Sequence, residues 1–458
     1  MRVLFLCHGH PSLQAGGTEL ASLALFRALR AQPGIDGLFV GGASALHRPS
    51  SPGTPFQSAG AAADELLMRT EGFDRFHLSQ TDLHGIAPEL EGLLRSLQPD
   101  IVHLHHVLLI GVEALHLIRR TLPRARIVLT LHDFYAICPR DGLMRTTDGR
   151  LCHQAAVDAC RRCFPDRSST ELRMRELHVR NLYRLVDRFV SPSRFLRERH
   201  LAWGLDPARV EVLRNGMPAT ACVPHRRLPQ PEAPRDRFAF FGHINEAKGS
   251  CVALAASRLL SAGGVPHALA LHGGADFQTE AFLDRFRAAL VAAPAARHTG
   301  AYAPADLATR MAEADWVVMP SVWWENAPLV IQEAFQHRRP VITCSVGGMA
   351  EAVRDGGDGL LVHPDDPASL ADAMRRAAGE PGLWDRLVGG IQPPHLVSAA
   401  ASEHLELYRR LLTGRDAAPD AAAVVARPKR TRSQASPRPA KRSAAAPGRG
   451  VGCAGSPA

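Results

Sequence analysis

Residues 316–334 have the sequence WVVMPSVWWENAPLVIQEA, in which an apolar run is followed by a polar loop and an amphipathic stretch. The run WVVMP is short and continuously apolar, which is typical of a strand buried on both faces of a parallel sheet. Pro328 suits the first turn of a helix, and Asn326 is a suitable cap just ahead of it. The stretch therefore predicts a strand, a loop and a helix, with Glu325 in the loop and Glu333 more than one turn inside the helix.

The same alternation of apolar runs with helical patterns extends in both directions along the chain. Strands are predicted at residues 2–7, 38–42, 101–106, 126–132, 188–193 and 210–214, and then at 238–242, 267–272, 316–320, 341–344 and 359–362. Helical stretches such as 19–29 and 88–97 lie between them. Strands that alternate with helices indicate an α/β fold built on doubly wound parallel sheets.

Residues 223–236 divide this series, because four of these fourteen positions are proline. The predicted organisation is a first α/β domain at 1–222, a linker at 223–236 and a second α/β domain at 237–390. A segment at 391–412 contains a last amphipathic helix, Val397–Leu412. Residues 413–458 are rich in Ala, Pro, Arg and Ser and are expected to form a disordered, solvated basic tail.

The charge of the chain is concentrated in that tail. The formal net charge is +9, and residues 413–458 hold nine Lys or Arg against two acids, which leaves only +2 for the rest. A nearly neutral folded part gives no case for nucleic-acid binding. Binding of the tail to an anionic lipid or another acidic partner is the alternative to a merely solvated extension.

Lys248 is the only lysine before the tail, although Lys and Arg together number 54. It lies in the stretch FFGHINEAKG at residues 240–249, directly after a predicted strand. Gly242 would let a ligand approach the backbone, and the compact ammonium of Lys248 suits phosphate oxygens. The alternative is an ordinary strand-to-helix turn with a solvated lysine.

Taken together, these two stretches and residues 336–366 (QHRRPVITCSVGGMAEAVRDGGDGLLVHPDD) resemble the family-4 glycosyltransferases. Shorter matches lie at 16–19 (GGTE), 130–133 (TLHD), 191–193 (SPS) and 214–216 (RNG). The resemblance covers about residues 1–412 and is most specific in the second domain. It implies a GT-B fold, in which two Rossmann-like domains face a central cleft, and retaining transfer from a nucleotide-sugar donor.

The resemblance also implies roles for individual residues. The catalytic set is His132 beside the transferred sugar, Lys248 on the diphosphate and Glu325 on the sugar, and Glu333 would bind the donor ribose. The donor-binding residues that it implies are Gly16, Gly17, Gly242, His243, Lys248, Asn326, Ala327, Leu329, Val330 and Glu333. Where this chain has His243 the family often has arginine, although histidine or glutamine also suits some members, so the resemblance leaves the second phosphate cation open.

Other histidines and cysteines lie close to His132 in the sequence. His103, His105 and His106 end a predicted strand, and packing is favoured for them over acceptor binding. Cys138, Cys152, Cys160 and Cys163 have the spacing C-x13-C-x7-C-x2-C, which is compatible with a structural zinc site, with free thiols or with disulfides.

The expected chemistry needs no metal, because Lys248 and a helix N-terminus can carry the phosphate charge and no Asp-x-Asp motif follows a suitable strand. The expected partners are a nucleotide-sugar donor and a glycan, lipid-linked or other glycoconjugate acceptor, as in surface polysaccharide synthesis. A nucleotide-sugar epimerase-like enzyme and an inactive nucleotide-sugar-binding protein are the alternatives. With no signal-peptide pattern and no apolar run of 18 residues, a cytoplasmic location is expected, with peripheral contact at the inner membrane face left open.

Overall fold

The apolar runs of the first half pair into one eight-stranded sheet in the order β10-β9-β8-β7-β1-β2-β4-β3. The computed structural model describes residues 1–44, 54–60, 62–82, 84–230 and 233–414. Every pair in the sheet is parallel except β3 with β4, and β5 and β6 form a separate small hairpin. The strands are β1 (Arg2–Cys7), β2 (Asp36–Ala43), β3 (Phe56–Ser58), β4 (Glu65–Arg69), β5 (Phe73–Asp74), β6 (Ser79–Gln80), β7 (Ile101–Leu104), β8 (Arg126–Thr130), β9 (Arg188–Ser191) and β10 (Val210–Val212).

Helices connect these strands and cover both faces of the sheet, as parallel strands require. They are α1 (Gly17–Arg30), α2 (Ile86–Leu97), α3 (Ala114–Thr121), α4 (Val157–Arg161), α5 (Ser169–Tyr183) and α6 (Arg194–Trp203). A long irregular loop separates β8 from α4, and it contains the first two cysteines of the predicted cluster.

The second half forms a six-stranded, fully parallel sheet in the order β13-β12-β11-β14-β15-β16. Its strands are β11 (Arg237–Phe241), β12 (Ala268–His272), β13 (Ala296–His298), β14 (Trp316–Met319), β15 (Val341–Cys344) and β16 (Gly359–Val362). Its helices are α7 (Ser250–Ala262), α8 (Glu280–Val291), α9 (Leu307–Glu313), α10 (Leu329–Gln336), α11 (Gly347–Ala352), α12 (Pro367–Gly379) and α13 (Leu383–Gly390). Two doubly wound parallel sheets confirm the predicted fold class.

The last helix, α14 (Val397–Leu412), packs against the first sheet rather than the second. Its apolar side chains share a core with β1 and α1, and its Tyr408 hydroxyl lies 2.6 Å from Nδ1 of His103. The segment just before α14 lies against the end of the first domain, where the Met217 N–H donates to the His395 carbonyl at 2.8 Å. A side chain at Gly216 would collide with Val397, so this close approach needs glycine there.

Several strands end earlier than predicted. β7 ends at Leu104, β8 at Thr130 and β14 at Met319, so His105, His106 and His132 lie in the loops just beyond their strands. Parallel strands deliver such loops to the carboxyl edge of the sheet, where ligands bind in α/β folds.

The sequence also missed β3, β4, β5, β6 and β13. In β4 the reason is Glu65, a charged residue that is buried because Arg27 and His10 both pair with it, at 2.7 and 3.3 Å. A buried acid obscures the apolar pattern of a strand unless its partners are known. β13 is a three-residue edge strand with the sequence ARH.

No helix within the described residues is long and apolar enough to cross a membrane. The two sheets and α14 lie in one compact unit. The predicted tail falls almost wholly outside the described residues, which end at Gly414.

Candidate functional site

The carboxyl edges of the two sheets contribute the loops that carry the predicted site residues. The Asn326 side-chain amide donates to the main-chain carbonyl of His132, which joins the loop after β14 to the loop after β8. A Cβ at Gly17 would lie 3.8 Å from Leu329 Cδ1, so α1 and α10 begin beside each other across the cleft. Residues predicted from separate halves of the sequence therefore meet in space.

Lys248 and Glu325 form the central charged pair of this cleft. Nζ of Lys248 lies 2.6 Å from Oε1 of Glu325, and the Glu325 side chain is buried. The same oxygen accepts hydrogen bonds from the Ser321 hydroxyl at 2.9 Å and from the Trp323 indole N–H at 2.8 Å. The Lys248 ammonium also lies 5.8 Å from the centre of the Trp323 ring, within the range of a cation–π contact.

The helix after this pair begins one residue later than predicted. Leu329 is the first residue of α10 and Pro328 occupies the cap position, where it forms no side-chain cap bond. The prediction that Asn326 caps this helix is therefore wrong: its NH₂ group donates across the domain interface, and within the described residues its side-chain oxygen accepts no N–H group of the helix.

The start of α10 presents backbone donors to the cleft. Within the described residues, the N–H groups of Ala327, Leu329 and Val330 have no acceptor. Free N–H groups at a helix N-terminus, with the positive end of the helix dipole, form a site for a phosphate. These are three of the residues that the resemblance assigned to the donor.

Glu333 lies inside α10, as predicted. Removal from water raises the pKa of its carboxyl group to about 7. Its charge acts on the phenol of Tyr302, which follows β13. The Glu333 carboxyl group therefore gains or loses its proton near neutral pH.

The loop after β11 positions Lys248 through Asn245. The Asn245 side-chain oxygen accepts the Lys248 backbone N–H at 2.8 Å, and its carbonyl accepts the Ser250 hydroxyl at 3.2 Å. Gly242 has a φ of 137°, and Gly249 has a φ of 72° and no room for a side chain against the Pro320 carbonyl. The requirement for glycine at 249 follows from this close approach of the two loops.

His243 lies in the same loop as a neutral imidazole. Burial lowers its pKa, and the positive charge of Lys248 lowers it further, although Asp276 acts in the opposite direction. The imidazole is therefore no substitute for a permanent cation.

A buried ion pair supports the first-domain side of the cleft. His8 Nε2 lies 3.0 Å from Glu19 Oε1. Burial opposes protonation of His8, but hydrogen bonds and charges from Cys7 and Glu19 outweigh it and raise the pKa of His8 well above its ordinary value. A side chain at Gly16 would collide with the Glu19 carboxylate, which explains glycine at the predicted donor loop.

His132 is held by a second histidine. Its Nε2 lies 3.1 Å from Nδ1 of His105, and burial together with the neighbouring His106 lowers the His132 pKa to about 3. His132 is thus neutral, and it is suited to hydrogen bonding rather than to carrying a positive charge.

The tautomer of His106 follows from its partners. Its Nδ1 accepts the Leu108 backbone N–H at 2.8 Å, so the proton lies on Nε2 and is donated to Asp133 at 2.6 Å. The carboxylate of Asp133 therefore orients His106 rather than His132. His103 is fully buried between Tyr408 and Thr130, in the packing role that was favoured for it.

The four cysteines of the predicted cluster form no disulfide bonds. Across the described ranges, no three or more His, Cys, Asp or Glu side chains are arranged to hold a metal ion. The zinc site therefore stays a prediction.

The cysteine-bearing loop does reach the second domain. The Trp324 indole N–H donates to the Cys152 carbonyl at 2.9 Å, and the Trp324 ring packs on Phe195 at 5.1 Å. These contacts, like those of Ser321, Trp323 and Asn245, were missed by sequence reasoning. For Trp323 and Trp324 the available signal was two adjacent indoles beside Glu325 in a polar loop.

Two family models match the chain. The model described as Glycosyltransferase Family 4 matches residues 49–220, and the model described as Glycosyl transferases group 1 matches residues 235–380. Together they cover the whole second sheet and most of the first, while β1, α1 and β2 lie before the first match.

Curated relatives align over part of their length. The D-inositol 3-phosphate glycosyltransferase of Nocardioides sp. is 33% identical over 233 residues, which are 45% of this chain and 49% of that protein. The alpha-D-kanosaminyltransferase of Streptomyces kanamyceticus is 31% identical over 21% of this chain and 25% of that protein. The chain thus spans about half, or less, of the length of these relatives.

Solved structures share the fold over most of the chain. Sucrose-phosphate synthase from Thermosynechococcus elongatus superposes with a TM-score of 0.64 at 17% identity, over 90% of this chain and all of that one. Anabaena HepE in complex with UDP and glucose gives 0.63 at 17% identity with the same coverage. The family models and the curated relatives favour neither the epimerase-like enzyme nor the inactive binding protein.

Proposed function

Because the chain belongs to the group 1 and family 4 glycosyltransferases, we propose that it moves a hexose-type sugar from a nucleoside-diphosphate sugar to an acceptor. The observation that carries the proposal is the meeting of the Lys248–Glu325 pair, the free N–H groups of α10 and His132 at one cleft. A solved structure of the same fold is described in complex with UDP and glucose, which supports this class of donor.

The donor would lie with its diphosphate at the start of α10. There the N–H groups of Leu329 and Val330 and the ammonium of Lys248 face the phosphate oxygens, while Glu333 accepts the ribose hydroxyls. Glu325 and His132 lie on the side of the transferred sugar. Gly16 and Gly17 leave room for the diphosphate at the start of α1.

In the transfer, the bond between the sugar C1 and the diphosphate oxygen breaks, and its electron pair stays on the diphosphate. The acceptor oxygen forms the new bond to C1, and its proton passes to a leaving phosphate oxygen. Lys248 and the helix N-terminus stabilise the charge that develops there, as preorganised donors do. At ~4 Å and an effective dielectric of ~20, one cation contributes ~4 kcal/mol of gross attraction.

The transfer is proposed to be retaining and independent of a divalent metal. In the described residues Asp366 caps α12 through the N–H groups of Ala368 and Ser369, so the Asp365-Asp366 pair is not a free metal-binding pair. Among the described residues, the Glu325 carboxylate on the sugar side already accepts three donors on one oxygen, so attack on the same face as the leaving group is the proposed route.

The acceptor is proposed to be a glycoconjugate or a small polar molecule. A relative named for transfer to D-inositol 3-phosphate makes inositol phosphates part of the panel to test.

Calorimetry against UDP, GDP and dTDP, followed by donor hydrolysis with the matching nucleotide sugars, tests the proposal. Binding of one nucleoside diphosphate and slow release of free sugar are expected. Absence of binding and hydrolysis with every donor in folded protein would refute it.

A further inference from the structure

One guanidinium of the first domain reaches across the cleft into the second domain. Arg145, in the loop between β8 and α4, lies with Nη2 3.2 Å from Asp365 and Nη1 3.9 Å from Glu246. The side chain of Arg145 is 16% exposed, whereas those of Asp365 and Glu246 are 60% and 63% exposed. Within the described residues, the acids that pair with this shielded cation are two solvated ones.

The loop fixes the main chain and the Nε atom of Arg145, whereas its two terminal nitrogens, Nη1 and Nη2, form only weak ion pairs. Nε donates to the Gly149 carbonyl at 2.8 Å, and Arg140 donates to the Arg145 carbonyl at 2.8 Å. Gly149 has a φ of 91°, and a Cβ there would lie 3.1 Å from Nη2, so glycine leaves room for the guanidinium. Exposed ion pairs such as those to Asp365 and Glu246 contribute little, so the two terminal nitrogens can change partners at low cost.

Both acids belong to segments beside the donor site. Glu246 lies two residues before Lys248 in the same loop. Asp365 lies near Cys344 at the end of β15, where burial, the charge of Asp365 and that of Glu325 raise the thiol pKa to about 12. Arg145 therefore contacts the loop that carries Lys248, and its other partner, Asp365, lies near enough to Glu325 for both charges to act on the Cys344 thiol.

The donor site is short of positive charge. In the loops 242–249 and 320–330, Lys248 is the only Lys or Arg, and Glu325 already pairs with it at 2.6 Å. His243 is neutral. A diphosphate brings at least two negative charges, and one ammonium that is already paired, together with the roughly half positive charge of a helix N-terminus, leaves part of them unbalanced.

We propose that Arg145 is a second cation for the donor diphosphate. On binding of the nucleotide sugar, its guanidinium exchanges Asp365 and Glu246 for diphosphate oxygens, which suit its two parallel donors. When the bond from C1 to the diphosphate breaks, Arg145 stabilises the electron pair left on the leaving group. The inference rests on the proposed function and assigns a first-domain residue to the donor.

The test is calorimetry of UDP and UMP binding to the full chain and to Arg145→Gln, with GDP or dTDP if UDP does not bind the wild type. Arg145→Gln is expected to weaken UDP binding about tenfold and UMP binding less than threefold, because UMP lacks the second phosphate. Arg285→Gln is the matched control, since Arg285 also pairs with Glu246, at 3.1 Å, and is 63% exposed. It should leave both affinities unchanged.

The double variant Asp365→Asn, Glu246→Gln separates the proposal from a domain latch. If Arg145 binds the diphosphate, removing its competing acids preserves or strengthens UDP binding. If Arg145 only latches the domains, the double variant weakens UDP and UMP binding as Arg145→Gln does, and the proposal fails.

Arg145→Lys keeps the charge and guards against a folding defect in Arg145→Gln. It is expected to retain part of the UDP affinity, and circular dichroism verifies the fold of each variant. Equal UDP affinity in wild type and Arg145→Gln would overturn the inference while leaving the proposed transferase. Failure of all three nucleoside diphosphates to bind the wild type would overturn both.

Discussion

One carboxylate oxygen of Glu325 accepts from three donors, one of which is the Lys248 ammonium. The sequence predicted a sugar-binding acid and a phosphate-binding lysine separately. The structure joins them at 2.6 Å across 77 residues of sequence. A periodic pattern does not reveal such a contact, since neither residue lies on the other's helix or strand. Before the donor binds, Glu325 therefore also holds Lys248 in place.

Lys248→Ala removes the ammonium nearest the proposed leaving group. A loss of about 10²–10³ in kcat is expected, the usual scale for one preorganised donor to developing charge. Lys248→Arg should recover little of it, because a planar guanidinium and a compact ammonium are not interchangeable at a tight phosphate site. His243→Ala should cost about tenfold, the effect of one neutral hydrogen bond. Steady-state kinetics with one confirmed donor measure all three, and near-wild-type turnover in Lys248→Ala would contradict the assignment.

Glu333 is expected to make nucleotide binding pH-dependent. Burial raises its pKa from 4.5 to about 7, so the carboxyl group is mainly protonated at pH 6 and mainly ionised at pH 8. If the ionised form accepts the ribose hydroxyls, UDP affinity rises by up to about tenfold over this range. Calorimetry at both pH values measures the change.

The control for that experiment is Glu333→Gln, since UDP itself also loses a proton in this range. The variant should bind UDP more weakly and keep only the dependence that comes from UDP. The stability of the unliganded protein changes in the opposite direction. The contribution of Glu333 is fully present below pH 4.5 and is lost as the pH rises through about 7. Identical pH profiles for wild type and variant would show that Glu333 does not titrate as described.

At the scale of the element, the alternation of apolar strands and helices was sufficient to predict both sheets. Eleven strands were placed within a few residues of their observed ends, and α14 was placed at its observed bounds. Two features escaped prediction because they depend on distant partners. β4 carries a buried Glu65 that Arg27 neutralises, and α14 packs on the first sheet although it follows the second.

The docking of α14 predicts a measurable cost for Tyr408→Phe. Its hydroxyl is bonded to His103 Nδ1 at 2.6 Å in a fully buried position, so the change leaves a ring nitrogen unpaired in the core. The free energy of unfolding should fall by about 1–3 kcal/mol. Urea denaturation measures it, with the exposed Ser402→Ala on the same helix as a control within about 0.5 kcal/mol. Equal losses in the two variants would show that the buried bond is not what stabilises the docking.

Divalent metal ions are expected to play no part in the transfer. Chelation of divalent ions should leave transfer intact, because the proposed phosphate contacts are Lys248, Arg145 and the start of α10. Elemental analysis separately tests the structural zinc site with one zinc or none per chain. Loss of activity on chelation in protein that stays folded would refute metal-independent transfer.

At the scale of the whole molecule, the sequence predicted two facing domains but not the contacts between them. Side chains at loop tips make these contacts, and loop geometry has no simple sequence period. Asn326 illustrates the point, because a helix cap and a bridge to the His132 carbonyl both suit its amide.

Glu351 of α11 forms one such contact, since its carboxylate accepts the N–H groups of Arg194 and Phe195 at 3.0 and 2.8 Å. It thereby supplements the cap of α6 from the opposite domain.

Glu351→Ala should lower the free energy of unfolding by about 0.5–2 kcal/mol, the usual effect of losing a helix cap. Because this contact joins the domains, the radius of gyration of the unliganded protein should also increase. Small-angle scattering and thermal denaturation measure the two effects, and Glu198→Ala, an exposed change on α6 itself, is the control. A stability loss with an unchanged radius of gyration would mean that Glu351 caps the helix without holding the domains together, and that the cleft is closed by the other contacts alone.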